Sequence, residues 1–120
     1  MKLFLFTKDI ERIESVKNYI EANLEKDLSI DVLAYTFHVG KSTLRRHFAI
    51  YYQKTIHSYI LERRMEKAME LLTAEESPIK QVWKQIGYKT RTSFTHAFSK
   101  YYGHAPVYYL KYETRAELAH

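Results

Sequence analysis

Residues 79–110, IKQVWKQIGYKTRTSFTHAFSKYYGHAPVYYL, decide the fold of this chain. Apolar side chains recur there every three or four residues, as they do on one face of a helix, and no strand-like alternation is sustained. Gly87 follows the first helical stretch and Gly103 follows the second, as left-handed residues at helix ends do. The segment is therefore predicted to form a short helix, a tight turn and a second helix, which is the helix-turn-helix arrangement.

An earlier copy of this unit precedes it along the chain. Its apolar positions recur 49 residues later before the turn and 50 residues later after it, so the second turn carries one extra residue. Such internal similarity indicates one supersecondary unit that is used twice. The matched pairs are Leu33 and Val82, Val39 and Tyr88, Leu44 and Phe94, Phe48 and Phe98, and Tyr59 and Tyr109.

Helical periodicity continues outside these units, and it predicts an all-α fold of about seven helices. Ser29 is a candidate N-cap for the second helix, and Ser77-Pro78 is a typical start signal for the fifth. The expected helices cover residues 9–25, 29–37, 41–52, 56–72, 78–85 and 91–101, with a short seventh opening at Pro106. The paired tyrosines that close the third and sixth helices, Tyr51-Tyr52 and Tyr101-Tyr102, are expected to pack in the core.

Positive charge is concentrated in two blocks, and each block lies in a helix-rich segment. Residues 41–67 contain seven Lys or Arg and two Glu, and residues 78–112 contain six Lys or Arg and no acidic residue. Two local basic fields suit a protein that grips a polyanion at two sites. An ordinary solvated basic surface is the alternative interpretation of the charge alone.

Several function classes find no support in the sequence. The chain has no cysteine, which excludes disulfides, zinc-thiolate sites and cysteine nucleophiles. None of its six histidines pairs with another at helical ligand spacing, and no P-loop, dinucleotide fingerprint or nucleophile elbow is present. No metal, cofactor or enzymatic activity is therefore expected. Apolar runs are too short for a membrane span or a signal peptide, so we expect a cytoplasmic location.

The second unit carries the pattern Ile79-x-x-Val82-x-x-x-Ile86-Gly87-Tyr88, then Phe94-x-x-x-Phe98 and Gly103-x-x-Pro106-x-x-Tyr109. The first unit adds Leu33-Ala34, Leu44-x-Arg46-x-Phe48 and Arg64-Met65-x-x-Ala68-x-x-Leu71-Leu72. Together these motifs, over about residues 10–112, resemble the AraC/XylS family of bacterial transcription regulators. The resemblance implies two helix-turn-helix lobes joined by a long central helix of about 25 Å. It further implies one monomeric chain that reads two successive major grooves of double-stranded DNA.

The resemblance also assigns roles to single residues. Arginine is the commonest specific reader of guanine, so the first unit is expected to contribute more base contacts. Leu44, Phe48, Phe94 and Phe98 are expected to face inward. The expected base-contacting residues are Ser42, Arg45, Arg46, Arg91, Thr92, Thr95 and His96. The expected phosphate-contacting residues are Lys41, Thr43, Lys54, Lys89 and Lys100.

The chain departs from the family pattern at three positions: Gly40 stands where a capping Ser is usual, His38 where a turn glycine is common, and Trp83 where a small Ala is usual. Gly40 and Trp83 favour an alternative function, a protein-interaction module that docks RNA polymerase or another regulator. The expected domains are an extension or linker remnant (1–8), the double helix-turn-helix domain (9–112) and a tail (113–120). Within the domain, unit one covers about 9–54, the linker helix 55–73 and unit two 77–112.

Overall fold

The computed structural model describes residues 5–74 and 79–110, with the backbone alone for residues 79 and 80. Within these ranges it contains six α-helices, one 3-10 helix and no strand, which confirms the all-α prediction. The helices are α1 (Thr7–Ala22), α2 (Ile30–Thr36), α3 (Lys41–Tyr52), α4 (Ile56–Thr73), α5 (Ile79–Gln85), α6 (Arg91–Tyr102) and the 3-10 helix Pro106–Tyr109. The expected Ser77-Pro78 start signal, residues 1–4 and the tail lie outside the described residues.

Helix α1 ends three residues earlier than its apolar pattern predicted. The side-chain amide of Asn23 donates a hydrogen bond to the Tyr19 carbonyl at 2.8 Å, and the Asn23 backbone amide bonds to the Ile20 carbonyl at 3.1 Å. Both bonds occupy carbonyls at the helix end, and Asn23 leaves the helical region with φ −136°. Leu24 is still buried, although it lies beyond the helix, because the chain turns back over the core.

The chain divides inside α4 into two compact units, which we call the N-terminal unit (Met1–Glu62) and the C-terminal unit (Arg63–His120). In the N-terminal unit, α1 packs against α3 and α2 packs against α3. Its core is closed by partly buried Tyr19, Ile30, Phe37, Val39 and Tyr52. The buried members are Ile13, Val16, Ile20, Leu24, Leu28, Leu33, Ala34, Leu44, Phe48, Ile56, Tyr59 and Ile60. This packing fixes α3 with Leu44 and Phe48 inward, as expected.

The C-terminal unit repeats the packing of helix against helix, with α5 on α6 and α6 on the 3-10 helix. Trp83 stays half-buried, whereas Val82 beside it is fully buried. The indole therefore keeps part of its surface at the solvent. The buried apolar residues of this unit are Met65, Ala68, Leu72, Val82, Ile86, Phe94, Phe98, Pro106 and Leu110.

The turn of each unit uses a residue with positive φ. His38 has φ 52° and Gly87 has φ 90°, and these two residues are equivalent in the repeat. The next residue closes each turn, because Val39 donates its amide to the Ala34 carbonyl at 3.0 Å and Tyr88 donates to the Trp83 carbonyl at 2.9 Å. The turn at His38 thus has the left-handed conformation of its glycine counterpart, and a non-glycine residue bears the cost of that backbone.

One tyrosine of each pair contradicts the expected core placement. Tyr51 is 41% exposed and Tyr101 is 43% exposed. The Tyr52 ring packs against the rings of Phe48 and Tyr59, with centroids 4.8 and 6.3 Å away, and Tyr51 packs edge-on against Tyr52 at 4.9 Å. The first tyrosine of each pair therefore lies on the outer side of the second. In the C-terminal unit the inner ring is that of Tyr102, 4.8 Å from Phe98.

Candidate nucleic-acid interface

Helix α3 presents a polar face to the solvent, and its opposite face is anchored in the core. Ser42, Arg45 and Arg46 are exposed, and their spacing of three and four residues places them on one side of the helix. On the other side Leu44 and Phe48 have no exposed surface. Because Leu44 and Phe48 anchor the helix to the core, the guanidinium groups of Arg45 and Arg46 project from a rigid element.

Two of the expected phosphate-contacting lysines are paired with carboxylates. The Lys41 ammonium lies 2.8 Å from Asp31 in the first turn of α2, and the Lys54 ammonium lies 2.8 Å from Glu62 in α4. Both lysines are exposed, so a phosphate group can reach them. Thr43 in the first turn of α3 is half-buried, so less of its side chain is accessible than that of Lys41.

Helix α6 gathers its expected base-contacting residues around one open depression on its outer side. Arg91, Thr92, Thr95 and His96 line it together with Ser99. Sequence reasoning missed Ser99, although it follows Thr95 by four residues and Arg91 by eight. That helical spacing was sufficient to place Ser99 on the same face.

Three exposed lysines lie near the ends of α5 and α6 in the C-terminal unit. Lys89 is exposed in the turn before α6, and Lys100 is exposed in the last turn of that helix, as expected of phosphate contacts. Lys84, which the sequence reasoning omitted, is exposed in the last turn of α5. Its position in a block without acidic residues was the available signal. Since residues 78–112 contain no Asp or Glu, this block carries no compensating negative charge.

The starts of α3 and α6 differ in how they are capped. Gly40 precedes α3 in extended conformation and offers no side chain to the helix. Thr90 precedes α6, and its hydroxyl accepts a hydrogen bond from the Ser93 amide at 3.0 Å. Threonine at this position satisfies one of the amides that a helix start leaves unpaired. The weaker cap of α3, expected from the sequence, is therefore confirmed.

The scaffold below these faces is rich in tyrosines that resist ionisation. Burial raises the pKa of Tyr88 above 10.0, and the nearby Arg64 guanidinium opposes this shift. Burial also raises the pKa of Tyr52 and of Tyr102, and the charges of Glu14 and Glu66 respectively act in the same direction. These rings therefore stay neutral at physiological pH and add no negative charge beside the arginines and lysines.

Other kinds of site are not found in the described part of the chain. Among residues 5–74 and 79–110, no three His, Asp or Glu side chains come together in a way that could hold a metal ion. Over the same residues, every helix is too short or too polar to cross a bilayer.

Comparison with known proteins identifies the family. A family of helix-turn-helix domains matches residues 33–112 of the chain. The crystal structure of a Chromobacterium violaceum transcriptional regulator, described as containing an AraC-type DNA-binding domain, superposes with a TM-score of 0.71. It is 25% identical in sequence, and the match covers 93% of this chain and 96% of that one. This chain belongs to the AraC family of helix-turn-helix transcriptional regulators.

Two further proteins support this AraC-type assignment. The probable transcriptional regulator LumQ of Photobacterium leiognathi is 33% identical over 110 residues, which are 89% of this chain and 44% of LumQ. The chain thus spans less than half of that relative. The C-terminal domain of AraT, a response regulator from Geobacillus stearothermophilus, has a TM-score of 0.77 and 28% identity, covering 88% of this chain and 84% of that one. The AraC-type domain is thus a DNA-binding domain of transcription regulation, and its family is not a class of enzymes.

Proposed function

We propose that this AraC-type domain binds a specific double-stranded DNA site as a single chain, with α3 and α6 in two successive major grooves. The observation that carries the proposal is the equivalence of the two polar faces. Residues 41–52 and 91–102 form helices of the same length, 50 residues apart, each anchored by an inward pair of bulky side chains. A unit that is repeated in this way offers the same edge to DNA twice.

The two faces differ in chemistry, and we assign them different shares of the work. In α3, Arg45 and Arg46 can each donate a bidentate pair of hydrogen bonds to guanine O6 and N7, and Ser42 can bond to either a base or a phosphate. In α6, Arg91 is the remaining guanidinium, and the other base-contacting residues are Thr92, Thr95 and His96. Threonine methyl groups suit contact with the thymine methyl. Helix α3 therefore contributes more of the base readout.

Phosphate contacts fix the position of the domain on the duplex. We assign them to Lys41, Thr43 and Lys54 in the N-terminal unit and to Lys89 and Lys100 in the C-terminal unit. Such contacts are blind to sequence and make affinity fall steeply with salt. As a DNA-binding regulator the protein works where the chromosome lies, so we place it in the cytoplasm, and we propose RNA polymerase as a second partner of the DNA-bound domain.

A second function is favoured by the exposed aromatic surface on α2. Tyr35 is 83% exposed there, next to the uncapped start of α3 at Gly40. A domain that used this surface mainly to dock RNA polymerase or another regulator would bind DNA weakly and without sequence preference. The half-exposed Trp83 of the C-terminal unit offers a further apolar contact.

Selection of binding sites from a pool of random duplexes tests the proposal, followed by affinity measurements on the selected site across a range of salt concentrations. Two short conserved blocks about ten base pairs apart are expected, with the logarithm of the affinity falling linearly with the logarithm of salt. A single block would restrict base reading to one helix. No enrichment at all would overturn specific recognition and favour the protein-docking function.

A further inference from the structure

The helix that precedes the recognition helix differs in its charged residues between the two units. Asp31 is the second residue of α2, and the repeat places Lys80 at the second residue of α5. Four residues on, α2 has the exposed Tyr35 where α5 has the exposed Lys84. The helix that precedes the recognition helix thus carries an acid and an aromatic ring in one unit and two lysines in the other.

Asp31 does not stand alone on α2. Its carboxylate lies 2.8 Å from the ammonium of Lys41, the first residue of α3, while the two side chains remain 73% and 55% exposed. Lys41 is one of the residues proposed to contact phosphate, and its counterpart in the repeat is Arg91. In the DNA-free domain the positive charge at the start of α3 is therefore already paired.

We propose that Asp31 is a positioning residue that restrains the affinity of the domain for DNA through Lys41. This inference rests on the proposed DNA-binding function and adds a residue to it. A phosphate that approaches the Lys41 ammonium must share it with the Asp31 carboxylate, which is also negatively charged. The phosphate contact therefore exchanges one ion pair for another, and it yields less affinity and less counterion release than a free lysine would give.

The two units therefore draw their binding free energy from different contacts with DNA. The C-terminal unit, whose residues 78–112 include no acidic residue, grips the backbone of any duplex. The N-terminal unit gains little from backbone charge, so its share of the binding free energy depends on the base contacts of Arg45 and Arg46. Asp31 thereby keeps the reading helix from being held on DNA of the wrong sequence by charge alone.

The test is a double-mutant cycle of Asp31→Asn and Lys41→Ala, measured on the selected duplex and on a random one at several salt concentrations. Glu25→Gln is the matched control, since it removes the same charge from an exposed residue in the turn after α1. Asp31→Glu, which keeps the carboxylate, should bind like the wild type. Unfolding curves of each variant check that the fold is retained.

We expect Asp31→Asn to tighten binding to both duplexes about two- to fivefold, the range typical of an exposed ion pair, and Glu25→Gln to change it less. The salt slope should steepen by up to about 0.9, the value of one phosphate contact. Lys41→Ala should cost more in the Asp31→Asn background than in the wild type. Equal effects of Asp31→Asn and Glu25→Gln, or equal costs of Lys41→Ala in both backgrounds, would overturn the inference alone. A wild type that bound neither duplex would overturn the proposed function, and the inference with it.

Discussion

Gln53 and Gly103 hold the same left-handed backbone position at the ends of α3 and α6, with φ 59° and 89°. Each donates its amide to the carbonyl four residues earlier, at 2.9 Å to Ala49 and 2.8 Å to Ser99. Glycine takes this conformation without steric cost, whereas a residue with a Cβ atom does not. The repeat has therefore kept the geometry of the helix end while changing the residue that must adopt it.

This difference predicts opposite effects of substitution at the two helix ends. Gly103→Ala should lower the free energy of unfolding by about 1–2 kcal/mol, since an added Cβ meets no atom within 4 Å and the cost is the backbone conformation itself. Gln53→Gly should raise it by up to about 1 kcal/mol. Urea denaturation at equilibrium measures both. If Gly103→Ala were as stable as the wild type, the left-handed end of α6 would not exist in solution.

The cap of α6 gives a second prediction about stability. Thr90→Ala should lower the free energy of unfolding by about 1 kcal/mol, because the Ser93 amide loses its acceptor. Thr90→Gly should cost only a few tenths of a kcal/mol, because the freed amide is then exposed to water. Denaturant unfolding of the two variants, with Gly40→Ser as a gain of the missing cap in α3, makes the comparison. Equal losses for Ala and Gly would show that the threonine hydroxyl does not cap the helix.

Local sequence rules predicted the bounds and caps of several helices. The range of α3 was predicted to the residue, and that of α6 to within one, because inward anchors at helical spacing and glycine or extended residues at the ends are local signals. Ser29 was predicted as an N-cap, and its hydroxyl accepts from the Val32 amide at 3.3 Å. These features depend on neighbours a few residues away, which a sequence displays directly.

Features that depend on contacts distant in sequence were harder to predict. Tyr51 and Tyr101 were expected in the core, yet Tyr52 and Tyr102 are the members of the two pairs that pack against Phe48 and Phe98. The ion pair between Lys41 and Asp31 joins two helices across a turn. The sequence therefore indicated Lys41 as a phosphate contact without showing the carboxylate that pairs with it. Base and phosphate roles for the individual residues remain predictions.

The raised pKa of Tyr102 predicts the behaviour of the domain in alkaline solution. Burial, then the charges of Tyr101 and Glu66, raise this pKa above 10.0 in the folded state, whereas the unfolded chain titrates near 10. The contribution of Tyr102 to stability is therefore fully present below pH 10 and is lost as the pH rises through the folded pKa. Unfolding measured between pH 8 and 12 should show a smaller alkaline loss for Tyr102→Phe.

The matched control for this pH profile is Tyr35→Phe, which removes a hydroxyl from a ring that is 83% exposed. Its unfolding free energy should follow the wild type across the same pH range. If Tyr102→Phe also followed the wild type, ionisation of Tyr102 would not be coupled to unfolding.

Equivalent positions in the two recognition helices allow a direct test of how base readout is shared. Arg46 in α3 corresponds to His96 in α6, and both side chains are accessible on the outer faces of their helices. Arg46→Ala should weaken binding to the selected site by about 1–3 kcal/mol and relax its specificity, because a bidentate pair to guanine is lost. His96→Ala should cost less, since imidazole lacks the planar fork. Titration of labelled duplexes, matched and with single base changes, measures both quantities.

Lys8→Ala removes one positive charge from α1 and should leave specificity unchanged, so it separates loss of charge from loss of readout. A cost for His96→Ala equal to that of Arg46→Ala would mean that both units read bases equally. An Arg46→Ala variant with unaltered affinity and specificity would show that the outer face of α3 does not lie against the bases.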